Sequence, residues 1–113
     1  MHEFSIVENM VRTADGFAKS HDIARVSTLT VQIGALTGVL TKYVEMYYAD
    51  LSQGTALEGS ALTVEEIPAE AFCKSCGEVF DPTATGDNCP ACGRSNYDLL
   101  HGRELTVKEI GFM

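Results

Sequence analysis

The sequence predicts an α/β (α+β) domain, two helices packed on a small three-stranded sheet, interrupted by a small inserted module stapled at paired cysteines. Three observations point there. Apolar residues recur at three- and four-residue spacing over 3–20 and again near 42–53. They alternate with polar residues over 25–33, around 60–67 and over 103–110. Between the last two of these stretches the composition changes: residues 73–93 hold all four cysteines and little aliphatic residue.

Each element follows from its residues. Phe4, Val7, Met10, Val11, Ala14, Phe17 and Ala18 form one stripe of the first helix. Glu3 and Glu8 sit near its start and Lys19 near its end, in the sense the helix dipole favours. Gly16 weakens the interior by roughly 1 kcal/mol relative to Ala, and Ser20-His21-Asp22 break the pattern. In the first strand Leu29, Val31 and Ile33 alternate with Thr28, Thr30 and Gln32, which gives one buried and one wet face. Gly34, Thr37 and Gly38 end it. The second helix carries Tyr43, Val44, Tyr47, Tyr48 and Leu51 on one face, with Thr41 as the expected N-cap. Gly54 and Gly59 bound a loop, Leu62 and Val64 mark the next strand, and Pro68 stops it. Leu105 and Val107 mark the last strand. The expected division is residues 1–69 plus 101–113 as the α/β domain, and 70–100 as the inserted module.

The chain has 113 residues and a formal net charge of −8, from 16 acidic against 8 basic side chains. Such a balance disfavours nucleic acid and anionic membranes as partners. No apolar run reaches the roughly 20 residues that span a bilayer. The opening Met1-His2-Glu3-Phe4 has no basic stretch before an apolar one, so no secretory leader and a cytoplasmic location are expected. In that compartment four cysteines point to metal rather than disulfides.

The cysteines stand as Cys73-Lys74-Ser75-Cys76 and Cys89-Pro90-Ala91-Cys92. Two residues between a pair let one tight turn present both sulfurs to one ion, and two such turns complete a tetrahedron of thiolates. That donor set selects zinc, with a rubredoxin-like iron site as the alternative. Amides near Gly77 and Gly93 are expected to donate to the sulfurs, and residues 78–88 to form a hairpin turning at Thr85-Gly86-Asp87. The pattern is that of a zinc ribbon. Four protein ligands leave no open position for substrate, so the site is structural.

The N-terminus offers a second donor set. A free α-amine with a pKa of about 8 can give up its proton to a metal near neutrality. The amide and imidazole of His2 extend it to a planar nitrogen site suited to Ni(II) or Cu(II). A solvated terminal histidine is the competing reading of the bare residues. Of the other two histidines, His21 is expected to interact with a helix C-terminus, and His101 to be a surface residue. The tyrosine stripe is expected to be core, and Glu65, Glu66, Glu70 and Glu78 a solvated acidic face. No Ser-His-Asp set, phosphate loop or His-Glu-x-x-His is present, so no enzymatic activity is expected.

Taken together, Met1-His2-Glu3 before the helix Phe4-Ser5-Ile6-Val7, the segment Val31-Gln32-Ile33-Gly34-Ala35-Leu36, and the pairs Cys73/Cys76 and Cys89/Cys92 resemble the HypA/HybF family of nickel-insertion accessory proteins. The resemblance covers essentially the whole chain. It implies a nickel metallochaperone that delivers Ni(II) during [NiFe]-hydrogenase maturation and carries a structural zinc. The nickel ligands it implies are the amine of Met1, the backbone nitrogen and imidazole of His2, and Glu3 through its backbone. The implied zinc ligands are Cys73, Cys76, Cys89 and Cys92. Implied partners are a HypB-like GTPase and the hydrogenase large subunit precursor, with the chain itself a monomer or weak homodimer. Two departures stand out. Gly77 and Gly93 occupy positions where some relatives have His, and Gly34 to Leu40 contains no acid that could approach the nickel. The alternative function is a zinc-ribbon protein–protein adaptor with an inert His2.

Overall fold

The computed structural model describes residues 3–112. The element order is α1 (Glu3–Ser20), β1 (Val26–Gly34), a 3-10 turn (Ala35–Thr37), α2 (Thr41–Leu51), β2 (Ala61–Ile67), β3 (Glu70–Cys73), β4 (Val79–Phe80), α3 (Pro82–Thr85), β5 (Tyr97–His101) and β6 (Leu105–Phe112). The chain divides into two compact units. One contains the chain up to Gln32, Gly38–Glu65, and the chain from Leu105 onward; the other contains Ile33–Thr37 and Glu66–Glu104.

The first unit is built on the periodicities of its sequence. Val7, Met10, Val11, Ala14 and Ala18 are the buried stripe of α1. Val26, Leu29 and Val31 of β1, Val44 and Tyr48 of α2, and Leu57 complete the core. The sheet order is β2-β1-β6, so the last strand in sequence pairs beside the first. Its wet face carries a polar lattice: Gln32 Nε2 and Lys108 Nζ both donate to the Glu65 carboxylate, at 3.3 and 3.1 Å. Glu65, expected as free solvated charge, is therefore partnered, and the Lys108 and then the Gln32 hydrogen bond hold its carboxyl below the ordinary value.

Several local expectations change. Phe4 and Phe17 are not core: they are 48% and 42% exposed, at the flanks of the buried stripe. Phe17 stacks on His21 instead, with ring centroids 4.1 Å apart. His21 also bonds through Nδ1 to the Phe17 carbonyl at 2.9 Å, so it does sit on the last turn of α1. Only Val44 and Tyr48 of the α2 stripe are buried, and Tyr43 is exposed. The N-cap of α2 is Leu40 rather than Thr41, and it supplies no side-chain cap.

The second unit has its own three-stranded sheet, ordered β4-β3-β5 with both pairings antiparallel. The expected hairpin within 78–88 does not form. Strand β4 pairs with β3, and Asp81 then caps the single turn α3 by accepting from the Thr83 amide at 2.8 Å. The Asp-Pro-Thr run starts a helical turn more readily than it continues a strand. Ile33–Thr37 joins this unit through two backbone hydrogen bonds, Gly34 N–H to Glu104 O and Leu36 N–H to Gly102 O, both 2.8 Å. Glycine is required at 34, where a Cβ would lie 2.1 Å from the carbonyl carbon of Gly102. His101 is half-exposed, as expected, and its Nδ1 pairs with Glu104 at 3.0 Å.

Candidate metal centre

Strand β3 delivers Cys73 at its end, and the chain turns immediately. The Cys73 N–H donates to Glu78 O and the Gly77 N–H returns to Cys73 O, both at 2.8 Å. The second cysteine turn repeats this pattern: Cys89 N–H to Arg94 O and Gly93 N–H to Cys89 O, both at 2.8 Å. Gly77 and Gly93 have φ of 81° and 77°, a left-handed conformation that glycine adopts without strain. Two equivalent knuckles, 16 positions apart in sequence, therefore face each other.

They bring four sulfurs together. All four lie within 4.8 Å of one another, with Cys73–Cys92 and Cys76–Cys89 Sγ separations of 3.6 Å. A tetrahedron with metal–sulfur bonds of about 2.3 Å has sulfur–sulfur edges of about 3.8 Å. The spacing fits a single ion, and 3.6 Å is far longer than the roughly 2.05 Å of a disulfide. Cys73 and Cys89 are buried, with Ala71 and Phe80 beside them and Tyr97 packed against the cluster; Cys76 and Cys92 face outward.

In the first turn the amides that reach sulfur are those of Ser75, Cys76 and Glu78, in the vicinity of Gly77 as expected. Burial acts to raise the Cys73 thiol, but the N–H groups of Cys76 and Ser75 and the thiols of Cys92 and Cys76 outweigh it and lower it to about 7. At Cys76 the Glu78 N–H favours the thiolate, yet desolvation and the sulfurs of Cys89, Cys73 and Cys92 push it up to about 12. Four thiolates this close require a cation in place of their protons, which is the electrostatic signature of a metal site. The Gly77 and Gly93 amides themselves close each turn on the Cys73 and Cys89 carbonyls.

Of the second predicted site, Met1 and His2 lie outside the described residues. Glu3 opens α1, and its Oε2 accepts a hydrogen bond from the Leu40 N–H at 3.4 Å, at the start of α2. Phe4 sets its ring edge-on to Tyr47 of α2, with centroids 5.4 Å apart and planes at 86°. Neither contact carries a sequence signal, since each joins residues some forty positions apart. Among the described residues the four cysteines are the sole cluster of metal-type donors.

Four sulfurs gathered on two Cys-x-x-Cys turns, in a chain that also has a separate α/β unit, mark a small metal-handling protein. The comparisons identify which. A family model described as hydrogenase/urease nickel incorporation, metallochaperone, HypA matches residues 1–112, and the chain belongs to that family. It is 39% identical to the hydrogenase maturation factor HypA of Geotalea daltonii over 110 residues, covering 97% of each chain. It is 38% identical to that of Chloroflexus aggregans over 108 residues, covering 95% of each. The fold is similar to the solution structure of the Ni metallochaperone HypA from Helicobacter pylori, with a TM-score of 0.71, 22% identity, and 100% and 98% of the two chains covered.

Proposed function

We propose that this chain carries Ni(II) to a [NiFe]-hydrogenase large subunit precursor, binding the ion at Met1, His2 and Glu3 and holding one structural Zn(II) at Cys73, Cys76, Cys89 and Cys92. The observation that carries the reading is the match to the nickel-incorporation family along residues 1–112, in a chain that opens on Met1-His2-Glu3. Zinc, when bound, offsets half the charge of the four thiolates and cross-links them, and the site then has no position left for cargo. Nickel at the chain end sits in a different chemical setting. Amine, amide and imidazole close fused chelate rings around one ion, and the cost of deprotonating an amide keeps the site labile and makes affinity rise with pH. The cargo is therefore held where it can be released, and the resident ion where it cannot.

The same reading gives a HypB-like GTPase as partner, docked on the α/β unit rather than the ribbon, in the cytoplasm. Supporting it, Phe4 on α1, Leu40 before α2, and Tyr43 and Met46 on α2 are large apolar residues left exposed in the unit that bears the N-terminus. No helix among the described residues is long and apolar enough to cross a membrane.

The test is calorimetry on untagged, zinc-loaded protein with a native N-terminus. His2→Ala should abolish nickel binding while zinc content and fold persist, and an N-terminal tag should act likewise. Glu3→Gln should be milder if the backbone of Glu3 is the ligand. Equal nickel affinity in wild type and His2→Ala would refute the site and leave a zinc-ribbon adaptor as the function.

A further inference from the structure

A chelate made from the first residues of a chain is ordinarily a floppy peptide, and closing it around an ion costs the freedom of every rotatable bond involved. Here that freedom ends early. Helix α1 starts at Glu3, one residue beyond His2. The first two helical residues are each held by α2. The Glu3 carboxylate takes the Leu40 N–H at a helix start that has no side-chain cap of its own. The Phe4 ring, 48% exposed and outside the core stripe, meets the half-buried ring of Tyr47 edge-on. Phe4 thus lies outside the buried stripe of α1 and has an aromatic neighbour on α2. Together these contacts fix the helical start of α1 against α2, one peptide unit from the His2 amide.

We propose that Tyr47 is a positioning residue for nickel: its ring, through Phe4, and the Leu40 amide, through Glu3, hold the start of α1 so that the Met1–His2 donors close on the ion from a fixed base. The inference rests on the N-terminal nickel reading. It assigns the Glu3 carboxylate to tethering rather than ligation, since its Oε2 is engaged by Leu40. It also gives α2, which contributes no metal ligand, a part in setting the affinity of the cargo site.

The experiment uses full-length, untagged, zinc-loaded protein and Ni(II) as the probe. Nickel affinity by calorimetry and the ligand-field absorption of bound Ni(II) are compared for wild type, Tyr47→Phe, Tyr47→Leu, Phe4→Leu and the Phe4→Leu/Tyr47→Leu double variant. Zinc content and far-UV circular dichroism report the fold. Tyr47→Phe keeps the ring edge and should match wild type in affinity and spectrum. Tyr47→Leu and Phe4→Leu should each weaken nickel roughly three- to tenfold, the scale of one aromatic pair, and alter the nickel spectrum with zinc content unchanged. The double variant should lose no more than either single one, because both remove the same contact. If Tyr47→Leu does not fold, Phe4→Leu carries the test alone against Tyr47→Phe. Wild-type affinity and spectrum in the leucine variants, or fully additive losses, would overturn the positioning role while leaving the nickel site standing. Indifference of wild type to His2→Ala would overturn the nickel reading, and this inference with it.

Discussion

The two units of this chain bury very different things. The α/β unit has a core drawn from three elements and the loop after α2, with Val7, Ala14, Leu29, Val31, Val44 and Leu57 at most 1% exposed. In the cysteine unit the buried cluster is Ala71, Cys73, Phe80 and Cys89, with Tyr97 against it. Half of that cluster is cysteine of the four-sulfur group. One unit is held by apolar area removed from water. The other has little such area for its length, and in its place gathers four sulfurs that could hold an ion. On the proposed function, the difference separates two requirements of a metal carrier: a folded platform for a weakly held cargo, and a rigid attachment whose own metal stays.

The largest effect should follow from removing that metal. Replacing Cys76 with Ala deletes one of four ligands and leaves three thiolates crowded without a full partner. Structural zinc binding in small peptides is worth about 10–16 kcal/mol at neutral pH, more than an apolar cluster of this size can offset. Amide exchange should become fast for 70–73 and 97–101, while Val7–Ala18 stays protected. A chain that kept the ribbon amides protected at less than one zinc per molecule would show that the unit does not depend on metal.

The reverse experiment acts on the platform. Leu29 is fully buried in β1, and Leu29→Ala should cost about 2–5 kcal/mol through lost burial and a cavity. Chemical denaturation should show the loss in the α/β unit. Zinc affinity, measured by competition with a chelator, should be unchanged. A matching drop in zinc affinity would break the independence that the comparison asserts.

What could be read beforehand divides along the same line. Helix α1 and strands β1, β2 and β6 were legible because periodic burial is written in periodic sequence, and the extents agree to within two residues. The four ligands were legible because Cys-x-x-Cys spacing has one local geometry. The internal strands of the ribbon were not. Strands such as Val79–Phe80 are too short for alternation to show, and their pairing is dictated by the knuckles. The hidden partners of Glu65, of Glu3 and of Phe4 are long-range, which no local pattern encodes. Thr41 looked like a cap because of its residue type. The chain instead enters α2 through extended Leu40, and Glu3 comes from another helix to accept that residue's amide.

The smallest effect concerns acid, and it distinguishes how the two units fail. Asp15 on α1 bridges Lys19 Nζ at 2.8 Å and the Ala56 N–H at 2.9 Å, so it ties the loop carrying Leu57 to the helix. The Lys19 hydrogen bond first, and the Ala56 amide second, hold its carboxyl below the ordinary 3.8 against an opposing cost of burial. A carboxyl depressed in the folded state stabilises fully above its unfolded value and loses that contribution as pH falls through the folded one. Asp15→Asn should therefore cost about 1 kcal/mol at neutral pH, and the difference from wild type should shrink as pH falls below the ordinary 3.8 and through the lowered folded-state value. The cysteine unit should open earlier in the same titration, since its ligands bind zinc only as thiolates and protons displace the metal. Amide exchange followed from pH 7 downward should thus show the ribbon released while α1 is still protected, with Asp15→Asn shifting only the second event. Simultaneous loss of both units, or a shift of the first event by Asp15→Asn, would show that they do not fail separately.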